Sequence, residues 1–159
     1  MKQDMIRILS GLVNGAVAAD IGCSSKSELL VRLAGMTANS YGLDQTAIIE
    51  GLEERERLGP TGFGGGTAIP HCKLAGIEKP VAVFVRLAKP VDYDAVDDEP
   101  VDLVCALVSP AQDGAAHLRA LAEISRLFRD EKFCAQLRAA ADSDALFALL
   151  AVSEERDAA

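Results

Sequence analysis

The first third of the chain carries apolar side chains at the spacing of amphipathic helices. Ser25 with Glu28 three residues later is the signature of a capping box at a helix N-terminus. The apolar positions that follow predict a helix over about residues 26–40. They are Leu29, Leu30, Leu33, Ala34 and Met36. Gly42 ends this helix, and Asp44 caps a second one that finishes in a run of charged residues.

Other stretches have the pattern of β-strands. Pro80–Leu87 alternates valine and leucine with other side chains, whereas Val101–Val108 is almost continuously apolar. A continuous apolar run is typical of a strand covered on both faces, so the second strand is predicted to be central. Ala16–Ile21 is a candidate first strand. Met1–Gly11, before it, is predicted to be a short helix or an extended arm.

The last third returns to helical spacing. Asp113 can cap a helix that continues to Phe128, with leucine and isoleucine on one face. Lys132–Ala140 and Asp144–Val152 are predicted to form two more helices, and Ser153–Ala159 is a polar tail that should be frayed. This alternation of helices and strands indicates the α/β class.

The segment Gly59–Leu74, with the sequence GPTGFGGGTAIPHCKL, interrupts the regular pattern. Its glycines leave backbone N–H groups open to an anion, so Gly64, Gly65 and Gly66 are predicted to hold a phosphate. Thr67–Ile69 then forms a short strand, with Pro70 presenting His71 at its end. The spacing matches neither the mononucleotide nor the dinucleotide glycine motif, so no nucleotide cofactor is predicted.

His71 suits the role of a nucleophile. An imidazole is largely unprotonated at neutral pH, so it can attack a phosphoryl group without a separate base. Arg55 stands directly upstream of the glycines, and a loop folding back would bring its planar fork towards the phosphate. The alternatives are a buried structural histidine in an irregular turn and an arginine on a solvated helix end.

His117 falls in the first turn of the helix that Asp113 caps, after the predicted central strand. The positive end of the helix dipole opposes its protonation, which favours a neutral imidazole that donates a hydrogen bond to a phosphoryl oxygen or to His71. Loops at strand ends are where α/β proteins place ligands. The alternative is an exposed histidine with no function.

Composition and net charge limit the classes of protein to which this chain can belong. The chain has 159 residues, 50% hydrophobic and 25% charged, which suits a single domain over residues 1–159. A net charge of -8 argues against nucleic acid and favours a protein partner with a basic surface. The acidic connection Pro90–Pro100 is predicted to be a solvent-exposed loop, or a contact for such a partner. No secretion signal or membrane-spanning run is found, so no membrane insertion and a cytoplasmic location are expected.

The cysteines are predicted to be reduced thiols. Their spacing gives no C-x-x-C pair. Cys72 adjoins His71, but adjacent residues of a strand point to opposite faces, so it is interpreted as a packing residue. No ligand spacing for a metal is found, and none is predicted.

The segment Arg55–Leu74 resembles the active-site segment of fructose/mannitol-type enzyme IIA domains of the bacterial phosphotransferase system. Within that group it is most similar to the stand-alone nitrogen-regulatory branch. Further matches lie at Pro90–Pro110 and Ala116–Phe128, so the resemblance covers about residues 20–150. Thr67, where the family more often has an aliphatic residue, and Cys72, often glycine, depart from the pattern. Neither departure removes a reactive group.

The resemblance implies a mixed sheet of about four or five strands flanked by helices. It also implies that His71 is the phosphoryl acceptor and that Arg55 and His117 are its active-site neighbours. The donor would be an HPr-type phosphocarrier protein, and no cofactor is required. The chain would then be a phosphohistidine intermediate in phosphoryl transfer, rather than an enzyme that turns over a small molecule.

Three functions remain open from the sequence. A nitrogen-regulatory protein would bind its target proteins differently in its two phosphorylation states, and the lack of a fused IIB or membrane segment favours this one. A sugar-transport component would pass the phosphoryl group to a IIB domain. A non-covalent module would bind an anion on the glycine loop, and His71 would never be modified.

Overall fold

A computed structural model describes residues 8–9 and 11–158, with side chains up to residue 152. The helices of this part are α1 (Lys26–Tyr41), α2 (Gln45–Arg57), α3 (Gly114–Arg129), α4 (Glu131–Ala139) and α5 (Ser143–Ala158). The strands are β1 (Val17–Ile21), β2 (Gly62–Gly64), β3 (Thr67–Ala68), β4 (His71–Leu74), β5 (Val81–Val91) and β6 (Val101–Pro110). None of these helices is long and apolar enough to cross a membrane.

The strands form one mixed sheet in the order β1-β5-β6-β3-β2, with β4 also paired to β6. β5 and β6 are antiparallel, whereas β1 runs parallel to β5, and both β3 and β4 run parallel to β6. All of β6 is buried except Asp102, which is only partly exposed, so both faces of this central strand are covered. The α/β class, the helix-flanked mixed sheet and the central position of β6 are confirmed.

The sheet has six strands in the described residues, one more than the expected upper number. The additional pairing lies in the glycine segment, where β2 and β3 form a short antiparallel hairpin and β4 continues along β6. Strands of two to four residues carry too few side chains for an alternating pattern to show.

The predicted helix caps are present. Ser25 Oγ accepts a hydrogen bond from the N–H of Glu28 at 3.1 Å, and Asp113 caps α3 in the same way through Ala116 at 3.0 Å. The Glu28 carboxylate accepts from the N–H and hydroxyl of Ser24 rather than completing the box on Ser25. α1 ends at Gly42, whose φ of 69° is the left-handed conformation that favours glycine.

Several predicted boundaries were wrong, because pairing and packing extend the elements. β5 continues through Pro90 to Val91, into the stretch predicted to be a loop, since Val91 still pairs with Val101. β6 includes Ser109 and Pro110, which pair with β4. The tail predicted to fray is helical to Ala158. Most of the predicted N-terminal helix or arm lies outside the described residues.

A buried arginine fixes α4 to the sheet. Arg86 of β5 donates to the carbonyl oxygens of Leu137 and Ala140 at 3.1 and 2.5 Å, and to Asp20 at 3.2 Å. The last carbonyls of a helix have no partner within it, so the guanidinium satisfies them where they are shielded from water. Arg86 therefore has a structural role, because it joins β5 to the end of α4.

Candidate functional site

The break between β3 and β4 determines the position of His71 in the sheet. Both strands lie along the same side of β6, where Thr67 is opposite Leu103 and His71 is opposite Leu107. The carbonyl of Pro70 accepts from the Leu107 N–H at 2.9 Å. His71 therefore begins a second strand segment, and the prediction that it sits at the end of a strand was wrong. Pro70 interrupts the strand, but the direction of the chain is kept.

Two hydrogen bonds set the tautomer of His71. Nδ1 lies 2.8 Å from the carbonyl oxygen of Ile69, which can only accept, so Nδ1 carries the proton. Nε2 then holds the lone pair, and the Nε–H of Arg55 donates to it at 3.2 Å. Burial lowers the pKa of His71, and the Arg55 cation lowers it further, against the opposing effect of the bond to Ile69. The imidazole is neutral at neutral pH.

Arg55 lies in the last turn of α2 and is held at two points. Besides the bond to His71, its Nη1 donates to the carbonyl of Gly59 at 2.9 Å. Since Gly59 lies just beyond the end of α2, the turn itself supplies the acceptor. The structure thus brings Arg55 and His71 together across sixteen residues, as the sequence predicted, through the helix end that precedes the glycines.

His117 is the second imidazole of the site. Its ring centroid lies 5.3 Å from that of His71, and its Nδ1 lies 2.7 Å from Ser109 Oγ. Only 6% of its surface is exposed, so the alternative of an exposed histidine was wrong. Burial first, and then His71 and Lys73, lower the pKa of His117 to about 4. This direction agrees with the neutral imidazole expected from the sequence, and burial is its largest cause.

These side chains open into one pocket of about 420 Å³. It is lined by Gly51, Glu54, Arg55, Leu58, His71, Cys72, Lys73 and His117. Lys73 was missed at the level of sequence, although it stands two residues after His71 and therefore on the same face of β4. Ser109 was missed too, because it was interpreted only as the end of a strand. The pocket holds two imidazoles and the cations of Arg55 and Lys73 against the single carboxylate of Glu54, which suits an anion.

Cys72 takes the packing role predicted for it. It is 7% exposed, and its side chain packs against Gly51 of α2 at the border of the pocket. Burial raises the pKa of its thiol to about 11, so it is not a thiolate at neutral pH. All cysteines of the chain are free thiols, as expected.

The glycine loop, residues 64–66, lies outside the His71 pocket. Gly64, Gly65 and Gly66 do not line the His71 pocket, contrary to the prediction that their N–H groups hold its phosphate. The N–H of Gly65 donates to Asp97 at 3.0 Å, and its carbonyl accepts from Arg138 at 2.8 Å. Gly66 has a φ of 82°, and a Cβ there would lie 2.7 Å from the Arg138 guanidinium. These glycines therefore allow a tight hairpin under Arg138.

The family model for the EIIA 2 domain of the phosphoenolpyruvate-dependent sugar phosphotransferase system matches residues 12–152. The chain belongs to this family. The chain is similar to the nitrogen regulatory protein of Bradyrhizobium diazoefficiens, with 42% identity over 86% of this chain and 90% of that protein. The nitrogen regulatory protein of Klebsiella oxytoca is 35% identical over 89% of each.

The solved structures agree with this EIIA 2 assignment. The nitrogen regulatory protein IIA-Ntr of Neisseria meningitidis superimposes with a TM-score of 0.83 at 29% identity, covering 90% of this chain and 98% of that one. The resemblance to the nitrogen-regulatory branch that the motifs indicated is confirmed. The residues that the family model matches include the His71 pocket and the whole sheet of the described residues.

Proposed function

We propose that this EIIA 2 protein is a phosphocarrier that accepts a phosphoryl group on Nε2 of His71. The observation that supports this most is the bond from Nδ1 to Ile69, because it leaves the Nε2 lone pair beside Arg55 in an open pocket. The donor is an HPr-type protein carrying its own phosphohistidine, and the reaction takes place in the cytoplasm.

The transfer balances without a further reactant. The Nε2 lone pair of His71 forms a bond to phosphorus while the nitrogen–phosphorus bond of the donor breaks, and that electron pair stays on the donor imidazole. The proton on Nδ1 of His71 remains in place, held by the Ile69 carbonyl, which also stabilises the positive charge that the modified ring gains. No proton has to leave the acceptor before the attack.

Three side chains stabilise the charge on the transferring group. Arg55 leaves Nε2 of His71 and turns its planar fork to the phosphoryl oxygens, and Lys73 adds a second positive charge from the same strand face. Where the Ser109 hydroxyl donates to Nδ1 of His117, the His117 proton lies on Nε2 and is free to donate to the phosphoryl group.

The second part of the proposal is that phosphorylation works as a regulatory signal to target proteins. The two relatives described above, which match over most of this chain and of their own length, carry the description nitrogen regulatory protein, and this favours a regulatory role over the transfer of phosphate to a IIB domain in sugar transport. The non-covalent anion module is less favoured, since the N–H of Gly65 in the glycine loop already donates to the Asp97 carboxylate.

The substitution His71→Ala tests the acceptor. Incubated with a phosphorylated HPr-type donor, the wild-type protein should gain the mass of one phosphoryl group, and His71→Ala should gain none. The matched control is His117→Gln, which keeps His71 and should still be modified. Phosphate on His71→Ala would place the acceptor elsewhere, and an unmodified wild-type protein would contradict the phosphocarrier function.

A further inference from the structure

A buried polar cluster lies behind the pocket, at the end of α2. Its centre is Glu56, whose side chain is 6% exposed and does not line the pocket. One carboxylate oxygen accepts from the Thr61 N–H at 3.0 Å and from Lys26 Nζ at 2.9 Å. The other accepts from the Tyr93 hydroxyl at 3.0 Å and from the Thr61 hydroxyl. All four hydrogen bonds of this carboxylate come from protein groups.

The donors of this cluster come from three separate segments. Lys26 begins α1, Thr61 precedes β2, and Tyr93 follows β5. The Tyr93 side chain is fully buried, and the Lys26 ammonium lies 4.4 Å from the centroid of its ring. A carboxylate is costly to remove from water unless such donors surround it, so its position is tightly determined.

The cluster controls the turn that holds Arg55. Thr61 is bound twice to Glu56, which closes residues 56–61 into a loop. Within this loop the Gly59 N–H donates to the Glu56 carbonyl at 3.1 Å, and the Gly59 carbonyl accepts from Arg55 Nη1 at 2.9 Å. These hydrogen bonds, together with the backbone of residues 56–61 that they close, connect the Glu56 carboxylate to the guanidinium that contacts His71.

We propose that Glu56 is a positioning residue, which fixes the Gly59 carbonyl and so anchors the Arg55 guanidinium beside His71, both while its Nε–H contacts Nε2 and when its fork turns to the phosphoryl oxygens. The inference rests on the proposed phosphoryl transfer, but it concerns how the cation is oriented rather than which atom is modified. Glu56 would then contribute to the rate without touching the phosphoryl group. Small displacements of a charged group in a site cost rate steeply, up to about 100-fold for roughly 1 Å.

The substitution Glu56→Gln keeps the shape but cannot accept four hydrogen bonds. Single-turnover transfer to His71 should slow by about 10- to 100-fold. The matched control is Glu53→Gln on the same helix, since Glu53 has no side-chain hydrogen bond among the described residues and its substitution removes the same charge. That control should transfer at the wild-type rate. Equal rates for Glu56→Gln and Glu53→Gln would overturn the proposal.

A spectroscopic readout separates positioning from stability. In the unphosphorylated protein, the Nε–H signal of Arg55 in ¹H–¹⁵N spectra should be protected from exchange with water, and Glu56→Gln should abolish the protection. Tyr93→Phe, which removes one donor and keeps the ring, should weaken it. If Glu56→Gln does not fold, Tyr93→Phe alone tests the proposal. An unchanged rate of exchange of the Arg55 Nε–H with water in Tyr93→Phe would then overturn it.

A double-substitution cycle tests the route through Arg55. Lysine at position 55 cannot contact Gly59 and His71 as the guanidinium does, so adding Glu56→Gln to Arg55→Lys should cost little more than Arg55→Lys alone. Fully additive losses would show that Glu56 acts independently of Arg55. A wild-type protein that never accepts phosphate would contradict the proposed function, whereas the exchange of Arg55 Nε–H would still test the positioning.

Discussion

His71 and His117 are the two histidines of the chain, and the fold gives each a hydrogen bond on Nδ1. The partner determines what the other nitrogen can do. A backbone carbonyl beside His71 leaves an unprotonated Nε2, suited to attack, whereas a hydroxyl beside His117 allows a protonated Nε2, suited to donate. The same residue type can thus act as nucleophile and as donor within one pocket.

The low pKa of His117 predicts a pH dependence of stability. In the unfolded chain this imidazole takes up a proton near pH 6.5, and in the folded protein only near pH 4. The unfolded state therefore binds more protons between these values, so the free energy of unfolding should fall as the pH drops from about 6.5 to 4. Below about pH 4 the contribution should be constant.

The comparison of wild type with His117→Gln measures this contribution. Denaturant unfolding at several pH values should show a weaker pH dependence for the variant between pH 6.5 and 4, because His71 and the carboxylates are common to both proteins. An imidazole signal of His117 that titrates near pH 6.5 in the folded protein would contradict the assignment.

The residues of the site differ in how well their roles can be predicted from the sequence. His71 and Arg55 were found from the glycine and proline context and from the resemblance. Lys73 follows from strand alternation and could have been found. Ser109 could not, because its role depends on β4 pairing beside it on β6, and that pairing is not a local property of the sequence.

At the scale of elements, the contact between α2 and β4 brings Arg55 to His71. A Cβ built on Gly51 would lie 2.9 Å from the Cys72 Cβ and 3.0 Å from its sulfur, closer than real side chains approach. Arg55 follows Gly51 by four residues, so it lies on the same face of the helix. The glycine therefore sets the distance between the guanidinium and the strand.

We expect Gly51→Ala to push α2 away from β4. The strain should lower the free energy of unfolding by about 1–3 kcal/mol, and transfer to His71 should slow because Arg55 moves with the helix. The control is Gly35→Ala in α1, where the nearest atom to a new Cβ is a flexible Gln45 side-chain atom at 3.6 Å. It should be neutral or stabilising by up to about 1 kcal/mol. Equal stabilities and rates for the two variants would contradict the account.

The starts of capped helices were predictable, whereas the ends of strands were not. Caps such as Ser25 and Asp113 act within three residues, so the local sequence is sufficient. A strand continues as long as a neighbour pairs with it, and that neighbour is distant in sequence. This is why β5 includes Pro90 and β6 includes Pro110, although proline usually ends such an element.

At the scale of the whole molecule, two exposed leucines form what we call the apolar rim, one lining the His71 pocket and the other following His117 in the sequence. Leu58 lines the pocket and is 81% exposed, and Leu118, next to His117, is 67% exposed. The proposed transfer between two imidazoles would require the donor protein to bind at this surface. Exposed leucines at such a place are suited to a protein contact.

The substitution Leu118→Asp should weaken the docking of the donor. We expect the donor concentration for half-maximal transfer to rise about 10-fold, with little change in the rate at saturation, because the chemistry is untouched. The control Val31→Asp adds the same charge to an exposed position of α1 and should leave both constants unchanged. Equal effects of the two substitutions would show that net charge, rather than the rim, is responsible.

The glycine loop shows what the sequence does not reveal at this scale. Its conformational freedom was predicted correctly, since Gly64, Gly65 and Gly66 all have positive φ. The position of the loop was predicted wrongly. The loop precedes β3, and the register of β3 on β6 places the loop next to Asp102 rather than next to His71. The register of the sheet alone determines the end of the central strand beside which such a loop lies.

The central claim is that Nε2 of His71 is the atom that accepts the phosphoryl group. The most direct measurement is ³¹P and ¹⁵N NMR of the ¹⁵N-histidine-labelled protein after transfer from a phosphorylated HPr-type donor. A single phosphoryl signal coupled to Nε2 of His71, with the proton still on Nδ1, is the predicted result. Phosphate on Nδ1 of His71, on His117, or on no histidine would contradict it.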